Sequence, residues 1–394
     1  MADPVVPVDG LVVPASNGLP PHSQDSVINL DHGDPMIYEK FWKETGDVSS
    51  FKIEGWENLS YFSNRNNLCW FLHHEFASQV RRIHRLVGNA SVDENCHIVV
   101  GNGSTQLYQA AIYALSTHPS LAETCRPIPV VSVVPHYSGY PAATDVLQSA
   151  LYKWTGDANS FDPHTTDPFI EVICSPNNPD GRLNTSVFKQ ITNNIHDLAY
   201  YWPQYTPITN AADHNIMLFS VSKCTGHAGS RLGWALVKDK EVARRMVQFV
   251  ELGTIGVSKD SQLRAATILR AVADGYEEGG GYKLFHFGRK VMTERWNRLR
   301  QVVTANGAFS LVEYPPPAYC GFMGEETSHL PAFAWLKYEG NLDIEDTANF
   351  LRTEHSMLTR SGKHFGTDSK YVRISLLERE ETFNIFIDRM SSIF

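Results

Sequence analysis

The run Ser220-Val-Ser-Lys223, followed by Gly226, Gly229, Ser230, Arg231 and Gly233, places one amine among hydroxyls, glycines and a guanidinium, just after the apolar stretch 216–219. An amine becomes a nucleophile at neutral pH when desolvation or a neighbouring charge depresses its pKa, so Lys223 is a candidate for Schiff-base chemistry. The hydroxyls of Ser220 and Ser222 suit a phosphate, and Arg231 offers its planar fork. Gly101-Asn-Gly-Ser-Thr-Gln106 forms a second anion site between a strand-like and a helix-like segment. Its glycines admit an anion to the backbone, the helix N-terminus presents free N–H groups, and Ser104 and Thr105 add donors. Gln106 stands where the dinucleotide fingerprint requires a third glycine, so that reading fails. Ser175-Pro-Asn-Asn-Pro-Asp-Gly181 follows the run FIEVIC, and ligands of open α/β sheets bind at such strand ends. Asn178 can donate there to a phenolate-type oxygen, which Tyr200 of His196-Asp197-Leu-Ala-Tyr200 can share. A carboxylate such as Asp197 facing a pyridine nitrogen keeps the ring protonated and makes it an electron sink. Taken singly, each motif also has a plain structural reading: a solvated turn lysine, a capped turn, turn punctuation, or a His-Asp helix cap.

The elements that would carry these motifs are apolar strands at 97–101, 129–134, 169–174, 216–219 and 234–238. Between and after them lie helix-like segments: Leu107, Ala110, Ala111, Ala114 and Leu115 share one helical face, and further helices are expected near 240–252, 260–277 and 283–304. Near-continuous apolar strands alternating with helices predict an α/β fold with a mainly parallel sheet covered on both faces. The run ITNNI before His196 is a weak strand by composition. The last hundred residues read differently, with strands at 332–338 and 371–375 and helices near 344–354 and 378–392, which predicts a smaller α+β domain. Residues 1–26 hold five prolines and no Lys or Arg, and read as a flexible leader without the basic start of a secretory signal.

Composition excludes several classes. The 394 residues carry 34 Lys+Arg against 43 Asp+Glu, a net charge of −9 without a basic block, which argues against nucleic acid as the main partner. Apolar runs fall well short of the roughly 18 residues of a membrane helix, so no membrane span is expected. The six cysteines are scattered without a CxxC, which fits reduced thiols in the cytoplasm. The 16 histidines form no HExxH or Cys/His cluster, so no metal site is expected. GxSxG and GxxxxGK[ST] are absent, which removes common hydrolase and nucleotide-triphosphatase signatures.

In order and spacing, the set resembles fold-type-I pyridoxal-phosphate enzymes. The blocks NLDHGDP (29–35), SYFS (60–63), NLCWF (67–71), VVGNGSTQL (99–107), YKWTGDA (152–158), SPNNPDG (175–181), YYWPQYTPIT (200–209) and SKCTGHAGSRLGWALVKD (222–239) resemble the plant tryptophan aminotransferase and alliinase family. That resemblance implies a large cofactor domain over 72–270 and a small domain over 271–394. Residues 27–71 would join the small domain and a homodimer interface. It implies pyridoxal 5'-phosphate held by Lys223, which then moves the Cα proton. Asp197 would pair with the ring nitrogen, Asn178 and Tyr200 with the ring oxygen, and Tyr137 would stack on the ring. Ser104, Thr105, Ser220, Ser222 and Arg231 would bind phosphate, with Tyr61 reaching in from a second subunit. Arg373, helped by backbone near Gly33, would clamp the substrate carboxylate. His136 and Cys224 depart from the family's apolar residues, at positions that bear on amino-acid preference. Alliinases of the family cleave C–S bonds and carry a Cys-rich module before the catalytic part, where this chain has only Cys69 and Cys96 ahead of Gly101. The expectation is therefore the tryptophan branch of auxin synthesis, passing the amino group of L-tryptophan to a 2-oxo acid such as pyruvate. The alternatives are an alliinase-type lyase and an aromatic aminotransferase of broader specificity.

Overall fold

The structure, a computed structural model, describes residues 26–118, 127–162, 168–188, 193–277 and 281–393; all but Ser26 of the expected leader lies outside them. In chain order, a short strand β1 (Ile28–Asn29) and helix α1 (Glu39–Thr45) precede α2 (His74–Val87). Phe76, Val80, Ile83 and Val87 give α2 one buried face, and Gly88 ends it in the left-handed conformation at φ 71°. Then come β2 (His97–Gly101), α3 (Gly103–Ser116), β3 (Ile128–Ser132), α4 (Gly139–Asp145), β4 (Tyr152–Asp157), β5 (Ile170–Cys174) and β6 (Asn194–Asp197). β7 (Ile216–Ser220), α5 (Val221–Cys224), β8 (Gly233–Val237), α6 (Lys240–Thr254), α7 (Lys259–Glu277) and α8 (Leu284–Asn306) follow. The chain finishes with β9 (Phe309–Leu311), β10 (Ala318–Cys320), β11 (Glu325–Thr327), β12 (Phe333–Tyr338), α9 (Thr347–His355), β13 (Met357–Leu358), β14 (Arg360–Ser361), β15 (Tyr371–Ser375) and α10 (Glu380–Ser391).

Seven strands form one sheet in the order β2-β8-β7-β6-β5-β3-β4. It is parallel except for β8, which runs antiparallel to both β2 and β7. β5, β7 and β8 are buried at every position, as expected of strands covered on both faces. Asn194–Asp197 is a strand despite its poor composition, because pairing with β5 and β7 on either side outweighs intrinsic preference. Cys174, Asp197 and Ser220 therefore stand at the ends of three adjacent strands, along one edge.

A second sheet, antiparallel in the order β14-β15-β12-β9, belongs to the C-terminal part, where α8 packs on α10. β1 pairs in parallel with β13, Leu30 N–H donates to Leu358 O, and Ser375 N–H donates to Leu30 O. These bonds lock residues 28–30 onto the smaller sheet and deliver the next residues, Asp31 to Asp34, to the cleft between the two sheets. One continuous apolar core spans both sheets. Among the described residues no helix is long and apolar enough to cross a membrane.

Candidate active site

The strand ends and the residues after β1 enclose a cavity of about 230 Å3. Its anion end is built first. Ser104 and Thr105 open α3 after Gly103, whose φ is 79° and where a Cβ would lie 2.8 Å from Arg231 Nη2. Only glycine lets the guanidinium come over the helix start. Arg231 is itself left-handed at φ 48°, and its Nη1 donates to Ala228 O at 2.9 Å. Ser222 and Ser220 line the same end. Ser220 contributes less than its position promised: its hydroxyl caps α5 by accepting from Ser222 N–H at 3.1 Å, and it contacts Leu232 O at 3.3 Å.

Lys223 follows one turn after β7. Its Nζ donates to Gly33 O at 2.5 Å and lies 5.6 Å from the centre of the Tyr200 ring. Burial, then the positive field of Arg373, pushes the amine down to about 8, against the opposing pull of Asp34. Gly33 is thus in the site, with its carbonyl serving the lysine, so that a carboxylate there would be met by backbone N–H rather than by this oxygen. A Cβ on Gly33 would meet Phe333 Cζ at 2.7 Å, so this close approach also requires glycine.

Asp197 is 8% exposed. It accepts from Tyr140 Oη at 2.7 Å and from Ala199 N–H at 3.2 Å, and burial raises its pKa despite both bonds. Asn178 Oδ1 accepts from Arg373 Nη1 at 2.9 Å, which leaves its amide N–H groups to donate elsewhere. Arg373 is 3% exposed; it also donates from Nη2 to Asp31 O, lies 4.2 Å over the Phe333 ring, and keeps a buried Nε without a partner. Burial, then the neighbouring Arg360, pulls it down to about 10. Tyr137 and Tyr200 complete the walls, both phenols pushed up by burial.

Twelve of the thirteen residues singled out by sequence line this one cavity. The exception is Tyr61, 70% exposed and away from it, beside exposed Trp56, Leu59 and Phe62. Sequence reasoning missed Arg360, Phe333, Cys174, His32 and the Asp197 partner Tyr140. No local pattern marks the first four, whereas Tyr140 sits three residues past Tyr137, one turn on in α4.

Pyridoxal phosphate fits this donor set. A phosphate finds a helix start, a cradle that a Cβ would fill, and a guanidinium. Asp197 is a buried carboxylate with neutral donors but no ion pair among the described residues, the setting that a protonated ring nitrogen would complete. Arg373 and its unpaired Nε await an acid group.

A mostly parallel seven-stranded sheet with a buried lysine and a buried carboxylate at its strand ends, beside a smaller antiparallel sheet, is a fold-type-I aminotransferase fold. An aminotransferase from Staphylococcus aureus superposes with TM-score 0.63 at 19% identity, covering 96% of both chains. A double mutant of Thermus thermophilus aspartate aminotransferase gives TM-score 0.61 at 15%, covering 94% of this chain and 92% of that one. At such identities the likeness speaks to the fold. The chain belongs to the Alliinase_C family, described as Allinase, which matches residues 28–394, and so to a family of pyridoxal-phosphate-dependent enzymes that includes aminotransferases. It is 54% identical over 390 residues to tryptophan aminotransferase-related protein 2 of Oryza sativa subsp. japonica, covering 96% of this chain and 76% of that one. It is 52% identical to tryptophan aminotransferase-related protein 2 of Arabidopsis thaliana (94% and 82% covered). Alliin lyase of Allium cepa var. aggregatum is 34% identical (89% and 78% covered).

Proposed function

We propose that the protein is an aminotransferase that takes the amino group of L-tryptophan and passes it to a 2-oxo acid such as pyruvate, giving indole-3-pyruvate. One observation carries the reading: Lys223 Nζ and the Arg373 guanidinium front one cavity whose far end is an anion cradle. An amino acid has an amine-bearing carbon next to a carboxylate, and this pair can hold the second while acting on the first. The choice of tryptophan is supported by the 52–54% identity to tryptophan aminotransferase-related proteins, against 34% to an alliin lyase. A cytoplasmic place in auxin synthesis belongs to the same proposal. So does a homodimer, with the exposed Trp56, Leu59, Tyr61 and Phe62 as its candidate contacts.

When bound, pyridoxal phosphate supplies a protonated ring that stabilises negative charge at the substrate Cα. The chain does the rest. Ser104, Thr105, Ser222 and Arg231 hold the phosphate, and Asp197, kept in place by Tyr140, holds a proton on the ring nitrogen. Asn178 and Tyr200 hold the ring oxygen, and Tyr137 covers the ring face. Arg373 binds the substrate carboxylate and is itself aimed by Asn178 and Asp31 O. Burial and the field of Arg373 depress the Lys223 amine, which favours the neutral form in which Nζ can accept the Cα proton.

The reading is tested by giving the cofactor-loaded protein L-tryptophan with pyruvate and, separately, an S-alkyl cysteine sulfoxide. Indole-3-pyruvate with alanine in the first, and no pyruvate release in the second, is expected. The reverse pattern makes it a C–S lyase.

A further inference from the structure

Among the described residues three guanidiniums line the cavity, and the reaction described above uses two, Arg231 and Arg373. Arg360 of β14 stands directly opposite Arg373 of β15 in the antiparallel ladder, so both side chains leave the same face of the sheet. Both line the cavity. Arg360 and Asp31 also line a larger outer groove of about 860 Å3, which places this pair in the wall between the two spaces. The contact is bidentate: Arg360 Nε donates to Asp31 Oδ1 at 2.5 Å and Nη2 to Oδ2 at 2.8 Å, while Nη1 donates to Ser138 Oγ at 3.1 Å.

Asp31 therefore holds both cations, Arg373 through its backbone carbonyl and Arg360 through its carboxylate. Its place is fixed. Leu30 is bonded to Leu358 of β13 and to Ser375 of β15, and Asp31 N–H donates to Asn29 Oδ1 at 3.0 Å. The two side chains are 16% and 27% exposed, so the pair is sheltered from much of the solvent screening that weakens surface ion pairs. A free second guanidinium beside Arg373 would draw the side-chain carboxylate of an acidic amino or oxo acid. Occupied by Asp31 it does not, because the bidentate carboxylate already neutralises its charge.

We propose that Asp31 is a specificity-determining residue whose carboxylate occupies Arg360 and reserves the cavity for amino and oxo acids with a single carboxylate. The inference rests on the aminotransferase reading only in giving Arg373 the substrate's α-carboxylate. Asp31→Asn keeps the backbone carbonyl and the shape while removing the charge. The test titrates cofactor-free protein calorimetrically with glutarate and with butyrate. Affinity for glutarate relative to butyrate rises at least about tenfold in Asp31→Asn, and the gain vanishes in Asp31→Asn/Arg360→Gln. In the loaded enzyme, kcat/KM for 2-oxoglutarate relative to pyruvate moves the same way. Arg360→Gln alone, which leaves the Asp31 carboxylate uncompensated in the cavity wall, lowers the glutarate ratio and serves if Asp31→Asn does not fold. An unchanged ratio in either single variant, or a gain that survives in the double variant, overturns the proposal. Binding reads this inference without turnover, so a wild-type protein lacking transferase activity would sink the earlier reading and leave this one standing.

Discussion

Lys223 would be charged in water and must be neutral to react, and its surroundings settle the conflict in favour of reaction. Its pKa of about 8 means that the cofactor-free fold carries a buried amine at a cost of up to about 3 kcal/mol at pH 7. The sign is fixed by proton counting. Between about 8 and 10.5 the unfolded chain binds more protons at this group, so stability rises with pH across that window. Cofactor-free Lys223→Met is expected to be more stable than wild type at pH 7 by up to about 3 kcal/mol. The gap should close by pH 10.5, as read by urea denaturation, and the variant should also fail to take up the cofactor's yellow colour. A less stable variant at pH 7 would contradict the assignment. At this scale Lys223, Asp197, Asn178 and Arg231 were legible because their neighbours in sequence are their neighbours in the site. Asp31 and Arg360 were not: they lie 329 residues apart and meet only once β1 has paired with β13 and β14 with β15.

Elements bring these side chains to one edge, and one tight junction between them is at Gly233. A Cβ there would lie 2.7 Å from Phe219 O, 2.9 Å from Gly103 C and 2.9 Å from Ser104 N, all of them backbone. β8 can therefore sit against β7 and the start of α3 only if this residue has no side chain. Gly233→Ala is expected to cost about 1–3 kcal/mol and to weaken phosphate-end binding of the cofactor, because the displaced neighbour is the anion-binding turn itself. Denaturation and equilibrium dialysis with pyridoxal phosphate check both effects; wild-type values for both would contradict the packing argument. The alternation of strands and helices was readable from apolar runs. β4 was not, since Tyr152–Asp157 is an edge strand with half its side chains toward solvent, and β6 was uncertain because pairing on both sides decides it. The antiparallel course of β8 leaves no mark in composition at all.

The whole molecule combines a catalytic cleft with several histidines buried in neutral form. His84 accepts from Trp234 Nε1 at 2.9 Å on one nitrogen and bonds Asn89 Oδ1 at 2.8 Å with the other, so a second proton would break its contact with Trp234. Burial pushes His84 and His227 down to about 4, and burial with the stacked His214 pushes His196 down to about 3. As pH falls below about 6.5, the unfolded chain takes up protons that the fold refuses, and stability is lost progressively toward pH 3. Glu378, raised to about 7 by burial and Asp34, works in the opposite sense, as do Asp197, Asp180 and Glu171, which burial also raises, while His73, His136, His214 and His329, lowered by burial too, add to the loss. Unfolding at pH 7 and 4.5 is expected to show a loss of several kcal/mol, with a smaller loss in His84→Gln; a flat profile would contradict it. Charge and composition had announced only an acidic chain without a membrane span, and the buried histidines became visible only with the tertiary packing. The central claim is that Lys223 and Arg373 act together on the amine-bearing carbon of L-tryptophan. Its most direct test is a single turnover of cofactor-loaded protein with L-tryptophan and no oxo acid, with products identified by mass spectrometry. The account predicts one molecule of indole-3-pyruvate per site with the amino group retained on the protein. Release of ammonia, or tryptophan left unconsumed, would contradict it.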